Sequence, residues 1–227
     1  TMTSGLQWNE WGIPLSSIQN DQLGIWFWDD GPINYALGRD LAAEPGMRFN
    51  YSGGDIQILV EILKNATGMT LDEFSVKYVF EPMGITSYDW WLIFPTGEIQ
   101  GAGGLKLTPR DMVKVGAMML NKGVWNGTRI ISEEWVSKCT TPYRGNTGIK
   151  VPGEDAGKVG YAYTWWTNEV DHKGRSIPCY FALGWGGQKI IILQDLDMVL
   201  VFTGANYLSK VHDFKITERY ILRALNG

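Results

Sequence analysis

The amino-acid sequence predicts an α+β fold in which a mainly helical region precedes a small antiparallel sheet. Apolar residues recur at helical spacing through much of residues 1–156, whereas residues 157–227 are rich in aromatic and β-branched residues. A chain of 227 residues that is 44% hydrophobic can bury an ordinary globular core. We therefore expect a helical region over residues 1–156, followed by three antiparallel strands and a closing helix over residues 157–227.

The helical region opens with residues 1–40, which are rich in Gly, Asn, Asp and Trp and predict loops with short helices. After them, apolar spacings of three and four indicate a first longer helix, and Thr70 with Glu73 forms a capping box for the next. Thr108, which precedes a proline, starts a third helix, and Ser132 caps a fourth. The expected helical ranges are 55–65, 70–79, 108–121 and 132–136.

The second region reads as a sheet closed by a helix. Aromatic and β-branched segments predict three strands, and an Asp-Leu-Asp turn separates the last two. The end of the chain is expected to form a helix that packs on them. The expected strands are 161–167, 181–194 and 198–203, and the expected helix is 211–225.

The composition excludes several classes of function. The net charge is −4 and the lysines and arginines are scattered, so no surface for nucleic acid is expected. The longest apolar stretch, residues 189–204, is interrupted by one glutamine and two aspartates and is not expected to span a membrane. With only two histidines, and with Cys139 and Cys179 far apart in the sequence, neither a metal site nor a cofactor is expected.

Two general enzyme motifs are incomplete in this sequence. A nucleophile elbow requires Gly-x-Ser-x-Gly, and its nearest approach, residues 50–54, lacks the first glycine. The glycine-rich segments 101–104 and 184–187 resemble phosphate loops only superficially, because neither is followed by the Gly-Lys-Ser/Thr of a nucleotide site. Neither a Ser-His-Asp hydrolase nor a nucleotide-binding protein is therefore favoured.

Short sequence blocks, spread in order over nearly the whole chain, carry a more specific signal. They are Thr1-Met2-Thr3-Ser4-Gly5-Leu6, Pro45-Gly46-x-x-Phe49-x-Tyr51-Ser52, Thr67-Gly68-Met69-Thr70, Glu81-Pro82-Met83-Gly84-Ile85, Gly103-Gly104-Leu105, Leu107-Thr108-Pro109-Arg110-Asp111 and Ala182-x-Gly184-Trp185-Gly186-Gly187-Gln188. Together they resemble the serine β-lactamase-related family, which includes class C β-lactamases, D-alanyl-D-alanine carboxypeptidases and related esterases. The resemblance implies a β-lactamase/transpeptidase-like fold and hydrolysis through an acyl-serine intermediate.

The family's Ser-x-x-Lys motif is not found in this sequence. In the family, this spacing places the nucleophilic serine and its lysine on one face of a helix. The resemblance therefore implies a truncated form of the fold, which lacks the catalytic Ser and Lys and is inactive alone. We expect the missing N-terminal segment of a longer parent chain to be its partner.

The resemblance assigns Tyr51 the role of catalytic base and acid. A tyrosine near its ordinary pKa of about 10 is a poor base at neutral pH unless nearby cations favour the phenolate. In the family that cation is the lysine of Ser-x-x-Lys, so Tyr51 is expected to depend on it. Gly53 is a departure, because the family's Tyr-x-Asn pattern places there an asparagine whose amide contacts the acyl side of the substrate.

A second part of the expected site comprises Trp185, Gly186, Gly187 and Gln188, which match the family's edge-strand motif. The Gln188 N–H is expected to be one of two oxyanion donors, each of which contributes roughly 3 kcal/mol to transition-state stabilisation. β-Lactamases have a lysine where this chain has Trp185, and the variant resembles β-lactamase-like carboxylesterases. Loss of the cation is expected to weaken recognition of a substrate carboxylate and to favour neutral esters or amides.

The sequence thus favours a serine hydrolase that cleaves a small-molecule ester, amide or D-amino-acid peptide without a cofactor. The eleven tryptophans support an alternative, a non-catalytic domain that binds cell-wall peptide or glycan on an aromatic surface. Most of the tryptophans are nevertheless expected in the core or in pocket walls. The family's association with the cell wall implies an exported location.

Overall fold

The structure divides into two compact units. A computed structural model describes residues 1–207 and 209–225, and their contacts group the chain as Thr1–Leu107 and Thr108–Gly227. The division predicted from the sequence lies at residue 156, where helical patterns give way to strand patterns. Two helices between these positions therefore belong to the same unit as the sheet.

The first unit is mainly helical, and the helices predicted in it are confirmed. The longest, α3, begins after Ser52, whose Oγ accepts a hydrogen bond from the Asp55 N–H at 3.0 Å, and ends at Gly68 in the left-handed conformation. The capping box of Thr70 and Glu73 starts the next helix, as predicted. The elements are α1 Asp21–Gly24, α2 Gly31–Leu37, α3 Gly53–Thr67, α4 Leu71–Ser75 with a π-helical turn over Val76–Phe80, and the paired strands β1 Tyr88–Trp90 and β2 Leu105–Leu107.

Aromatic residues form the core of the first unit. Trp8 and Tyr35 meet edge to face with ring centroids 5.9 Å apart, and Ile25 and Phe94 are buried beside them. Gly54, in the first turn of α3, lies against Trp8, where a β-carbon would come within 2.5 Å of the indole ring. The start of α3 is therefore fixed against this core, which positions the residues just before it.

The second unit combines a five-stranded sheet with helices. Its helices are α5 Pro109–Leu120, α6 Glu133–Cys139, α7 Asp213–Ile216 and α8 Leu222–Ala224, with a π-helical turn over Thr217–Ile221 that joins the last two. Its strands are β3 Val124–Trp125, β4 Thr128–Arg129, β5 Gly160–Ala162, β6 Trp165–His172, β7 Arg175–Gly184, β8 Gln188–Leu193 and β9 Met198–Thr203. Across residues 1–207 and 209–225, no helix is both long and apolar enough to cross a membrane.

The main sheet runs β5-β6-β7-β8-β9, and every neighbouring pair is antiparallel. The predicted count of three strands is therefore wrong. The predicted strand over 161–167 contains a turn at Tyr163 and Thr164, which adopt positive φ angles of 45° and 71°. Because tyrosine and threonine favour strands, this turn left no mark in the sequence pattern.

A second missed boundary divides the predicted strand 181–194. The chain turns at Trp185, Gly186 and Gly187, so β7 ends at Gly184 and β8 begins at Gln188. The sheet then continues to a 3-10 turn over Gln194–Leu196, which confirms the predicted Asp-Leu-Asp turn. The closing helix is confirmed as well, and its Phe214 ring contacts Phe181 with centroids 5.0 Å apart.

Candidate active site

Tyr51 lies directly before the N-cap of α3, in a segment that is tied to the start of the chain. The Asn50 N–H donates to the Met2 carbonyl at 2.8 Å, and its side-chain amide donates to the Trp8 carbonyl at 3.1 Å. Ser52, on the other side of Tyr51, is buried and caps the helix. The backbone on both sides of Tyr51 is therefore held in place.

The Tyr51 ring is held by stacking. The indole of Trp11 lies parallel to the phenol, with centroids 4.9 Å apart and planes 17° apart, and it also contacts Phe49 at 6.2 Å. Stacked aromatic pairs of this kind add about 0.5–1.5 kcal/mol to the stability gained from buried area. Trp11 was not predicted as part of the site, because a tryptophan forty residues away from the tyrosine motif gives no signal of proximity.

The carboxylate of Glu10 contacts the backbone just after Tyr51. Its Oε2 accepts hydrogen bonds from the Gly53 N–H and from the Trp8 indole N–H, both at 2.9 Å. Burial, reinforced by the negative charge of Glu10, raises the pKa of Tyr51 to about 12. In the described chain the phenol form of Tyr51 is therefore favoured at neutral pH. Its role as a base, and its dependence on a cation, stay predictions.

Gly53 lies against the carboxamide of Gln22. A β-carbon at this position would lie 2.0 Å from Oε1 of Gln22 and 2.9 Å from its Cδ. The side chain of Gln22, which projects from α1, thus occupies the space that a side chain at position 53 would fill. The asparagine of the family pattern is replaced here by a glycine with a carboxamide beside it.

The other predicted site residues lie in the second unit. Trp185, Gly186 and Gly187 form the turn between β7 and β8, which corrects the expectation that they lie on a strand. Both glycines have positive φ angles, 88° and 92°, which glycine adopts without strain. The strand register pairs Gly184 with Gln188, so only Gln188 of the four lies in the sheet.

The turn is fastened to the segment that follows β9. The Asn206 N–H donates to the Gly186 carbonyl at 2.8 Å, the Gly204 N–H donates to the Gly187 carbonyl at 3.0 Å, and the Gln188 side-chain amide donates to the Gly204 carbonyl at 2.6 Å. These three bonds give the turn a fixed shape. The backbone of Trp185 and Gly186 lies outside the β7–β8 ladder.

Two exposed aromatic rings border the turn. Trp185 is 66% exposed and Tyr207 is 49% exposed, and their ring centroids lie 4.9 Å apart. A β-carbon on Gly186 would lie 2.6 Å from the Tyr207 ring. Gly186, the first glycine of the motif, thus allows the close approach of Tyr207, a residue that no sequence pattern selected.

The role of Gln188 as an oxyanion donor stays a prediction. It begins β8, which lies between β7 and β9, and it pairs with Gly184 on one side and with Thr203 on the other. A backbone N–H in such a strand points towards one of its neighbours. Within the motif, the turn residues next to Gln188 are the ones whose backbone is not paired in the β7–β8 ladder.

A buried ionic cluster, which no sequence pattern predicted, follows the turn. The Lys189 ammonium is fully buried and lies 2.6 Å from Glu154 Oε2 and 2.8 Å from Asp213 Oδ2. Burial raises the pKa of Glu154 despite the facing ammonium. The cluster ties the start of β8 to the segment before β5 and to the start of α7.

Comparison with known proteins places this geometry in a family. The family model described as Beta-lactamase matches residues 1–225. A curated 6-aminohexanoate-dimer hydrolase from Paenarthrobacter ureafaciens is 31% identical over 88 residues, which make up 39% of this chain and 22% of that protein. The chain therefore spans only part of the length of this relative.

Solved structures share the fold. A Bacillus anthracis protein provisionally named a 6-aminohexanoate-dimer hydrolase matches with a TM-score of 0.75 and 23% identity over 98% of this chain and 58% of that chain. The octameric penicillin-binding protein homologue from Pyrococcus abyssi matches with a TM-score of 0.65 and 19% identity, over 98% and 55%. A D-stereospecific amidohydrolase from Streptomyces sp. matches with a TM-score of 0.68 and 13% identity, over 96% and 70%.

These matches confirm the β-lactamase/transpeptidase-like fold that the sequence blocks predicted. The family model extends over nearly every residue of the chain, including Tyr51 and the turn from Trp185 to Gly187. The chain therefore belongs to the β-lactamase family, whose members are serine hydrolases.

Proposed function

We propose that this chain carries the acid-base and oxyanion-side parts of a serine hydrolase that transfers an acyl group from an ester or amide to water. In this reaction a serine oxygen attacks the carbonyl carbon, the alcohol or amine leaves with a proton, and water then cleaves the serine ester. Tyr51 accepts the serine proton and returns it to the leaving group. The nucleophilic serine and its lysine come from outside the 227 residues, so the chain alone does not hydrolyse substrate.

The observation that carries this proposal is the way Tyr51 is held. The Tyr51 ring is stacked on Trp11, and the Gly53 N–H just after it donates to Glu10, the residue before that tryptophan. Such fixation supports a group that transfers a proton at one position. The charge of Glu10 favours the phenol, so an incoming lysine ammonium would offset it and lower the Tyr51 pKa.

The turn in the second unit supports the oxyanion role. Hydrogen bonds from Gly204 and Asn206 fix the carbonyl groups of the turn, and a preorganised backbone is what an oxyanion donor requires. The expected donor is the Gln188 N–H. A glycine-rich turn also allows the substrate to approach the backbone closely.

The substrate class that we propose is a neutral ester or amide. Trp185 replaces the lysine of β-lactamases and presents a largely exposed indole rather than a positive charge. The relatives point the same way, since two are named as 6-aminohexanoate-dimer hydrolases and one as a D-stereospecific amidohydrolase. A penicillin-like carboxylate is therefore a poorer fit than an uncharged acyl donor.

Labelling with a fluorophosphonate tests the proposal, because this reagent reacts with activated serines. The chain is compared with a complemented chain, in which a Ser-x-x-Lys segment from a family relative is joined to its N-terminus. We expect no labelling of the chain alone and labelling of the complemented chain. A labelled chain alone, or a complemented chain that is folded by circular dichroism but unlabelled, would contradict the proposal.

A second candidate function is favoured by the exposure of the tryptophans. Of the eleven, only Trp8 and Trp166 are buried, whereas Trp28, Trp91, Trp135 and Trp185 are each more than two-fifths exposed. Exposed indoles support a non-catalytic domain that binds cell-wall peptide or glycan. Sedimentation of the chain with purified peptidoglycan, and its loss after substitution of these four residues by alanine, would favour this function over hydrolysis.

A further inference from the structure

We propose that Lys189 is a positioning residue of the site, which fixes the shape of the turn Trp185–Gly187 through its two carboxylate partners, Glu154 and Asp213. The inference rests on the proposed function, because this turn and the residue after it form the oxyanion side of the site. The Lys189 side chain is fully buried, so in this role it does not touch the substrate. It acts through the residues that follow β9.

The shape of the turn depends on two hydrogen bonds from these residues. The Gly204 N–H donates to the Gly187 carbonyl at 3.0 Å. The Asn206 N–H donates to the Gly186 carbonyl at 2.8 Å. Because the C=O and N–H of one trans peptide point in opposite directions, the bond from Gly204 also sets the direction of the Gln188 N–H, the expected oxyanion donor.

Val211 supports the same turn from closer to α7. It is buried, and a β-carbon built on Gly187 would lie 3.3 and 3.5 Å from its two methyl groups. Its N–H donates to the Gly153 carbonyl at 3.1 Å. The position of Val211 is therefore set by the segment that contains Gly153 and by the start of α7, two residues further on.

The Lys189 ammonium joins the two elements that hold Val211. It donates a hydrogen bond of 2.8 Å to Oδ2 of Asp213, the first residue of α7. It also lies 2.6 Å from Oε2 of Glu154, the residue after Gly153. Since Lys189 is the second residue of β8, the cluster links the strand that leaves the turn to the residues that support the turn.

Stability alone does not account for an ammonium at this place. Lys189 is the one charged residue of β8, and the buried residues that follow it in the strand are aliphatic. A buried ion pair contributes little net stability compared with apolar residues of similar volume, because both charges lose their hydration. It does provide direction, since charge-assisted hydrogen bonds have a defined geometry whereas apolar burial has none.

A variant without the charges separates position from stability. Lys189→Met/Glu154→Leu/Asp213→Val, the apolar variant, replaces all three charged side chains by apolar ones. Because no charge is left buried and unpaired, we expect it to keep the denaturation midpoint of the parent or to raise it. The control is Arg175→Met, which breaks an ion pair with Asp195 near the other end of the same sheet.

Hydrogen exchange on the chain itself gives the first test. In the apolar variant we expect the Gly204 and Asn206 N–H groups to exchange about tenfold faster. The Ile130 N–H, which donates to the Gly123 carbonyl at 2.8 Å elsewhere in the same unit, should keep its rate. Arg175→Met should leave all three rates unchanged. Unchanged exchange at Gly204 and Asn206, or equal acceleration at all three groups, would overturn the inference, the second by showing a purely structural role.

Val211→Ala gives the second test and decides the matter should the apolar variant not fold. It trims the side chain that lies against Gly187 and leaves every charge in place. We expect the same pattern, with faster exchange at Gly204 and Asn206 and an unchanged rate at Ile130. Unchanged exchange at the first two groups would overturn the inference, because Val211 is the link between the cluster and the turn.

Kinetics of the complemented chain test the consequence for catalysis. We compare p-nitrophenyl butyrate with its thionoester, whose sulfur accepts hydrogen bonds only weakly. The apolar variant should lower kcat for the oxygen ester by about tenfold to a hundredfold, lower kcat for the thionoester less, and leave KM within about twofold. Equal falls for both esters, or a change in KM alone, would contradict the positioning role. A complemented parent inactive on both esters would contradict the proposed hydrolysis, and the exchange rates would then decide the inference.

Discussion

The indole ring of Trp11 stacks on the phenol ring of Tyr51, with centroids 4.9 Å apart and planes 17° apart. The preceding residue, Glu10, accepts a hydrogen bond from the Gly53 N–H, and its negative charge raises the pKa of Tyr51. Two consecutive residues therefore act on the candidate acid-base group. Each of these contacts can be removed separately.

Replacement of Trp11 by leucine removes the stacking. We expect Trp11→Leu to lower the free energy of unfolding by about 0.5–1.5 kcal/mol beyond the loss of buried apolar area, as measured by urea denaturation. The control is Phe27→Leu, which shortens an aromatic ring that is 71% exposed and should change stability by no more than about 0.5 kcal/mol. Equal losses in the two variants would show that the stacked pair contributes nothing specific.

Replacement of Glu10 by glutamine removes the negative charge next to Tyr51. Since that charge favours the protonated phenol, we expect Glu10→Gln to lower the Tyr51 pKa from about 12, while burial keeps it above that of an exposed tyrosine. Titration followed by ¹³C resonances of labelled tyrosine, with Tyr51 assigned through Tyr51→Phe, measures the change. Glu44→Gln removes an exposed charge and should leave the titration where it is, whereas Glu10→Asp should retain most of the effect. An unchanged Tyr51 titration in Glu10→Gln would argue against electrostatic control by Glu10.

Gly186 and Gly174 offer a matched pair of turn glycines in one sheet. Both have positive φ angles, 88° and 79°, but a β-carbon on Gly186 would lie 2.6 Å from the Tyr207 ring, whereas one on Gly174 would meet nothing within 4 Å. Gly174→Ala should cost about 1–2 kcal/mol from backbone strain alone. Gly186→Ala should cost more, because it also displaces Tyr207. Equal losses of stability in the two variants, measured by thermal denaturation, would mean that the Tyr207 ring moves aside at no cost.

Removal of the buried ammonium of Lys189 tests the ionic cluster. Lys189→Met leaves Glu154 and Asp213 buried without their cation, so we expect a loss of about 3–5 kcal/mol in the free energy of unfolding. Lys106→Met breaks a surface pair with Asp89, in which both side chains are more than half exposed, and should cost at most about 1 kcal/mol. A small loss for Lys189→Met would show that the two carboxyl groups are readily neutralised in the fold.

The elements predicted correctly from the sequence are those that are marked by residues close together in the chain. Ser132 and Thr108 cap the helices that they were expected to cap, and the Thr70–Glu73 capping box is present. Each of these patterns is read from residues within one turn of a helix. Tyr51 was likewise found because it lies in a recognisable block, and its position before α3 follows from the same block.

The features that the sequence did not reveal depend on contacts between distant segments. Glu10, Trp11 and Gln22 lie thirty or more residues before the turn that they hold or fill, and no periodicity marks them. The strand count failed for a related reason, because Tyr163 and Thr164 turn the chain with residues that ordinarily favour strands. In both cases tertiary contacts, rather than local preference, decide the outcome.

The most direct test of the account is the effect of Tyr51→Phe on kcat in the complemented chain. If Tyr51 transfers the proton, removal of its hydroxyl should lower kcat by about 10²–10⁴-fold and leave KM nearly unchanged, because the ring still stacks on Trp11. Tyr78→Phe, at a tyrosine that is 45% exposed, should leave both constants unchanged. A Tyr51→Phe variant with the kcat of the parent would contradict the assignment of Tyr51 as the acid-base residue.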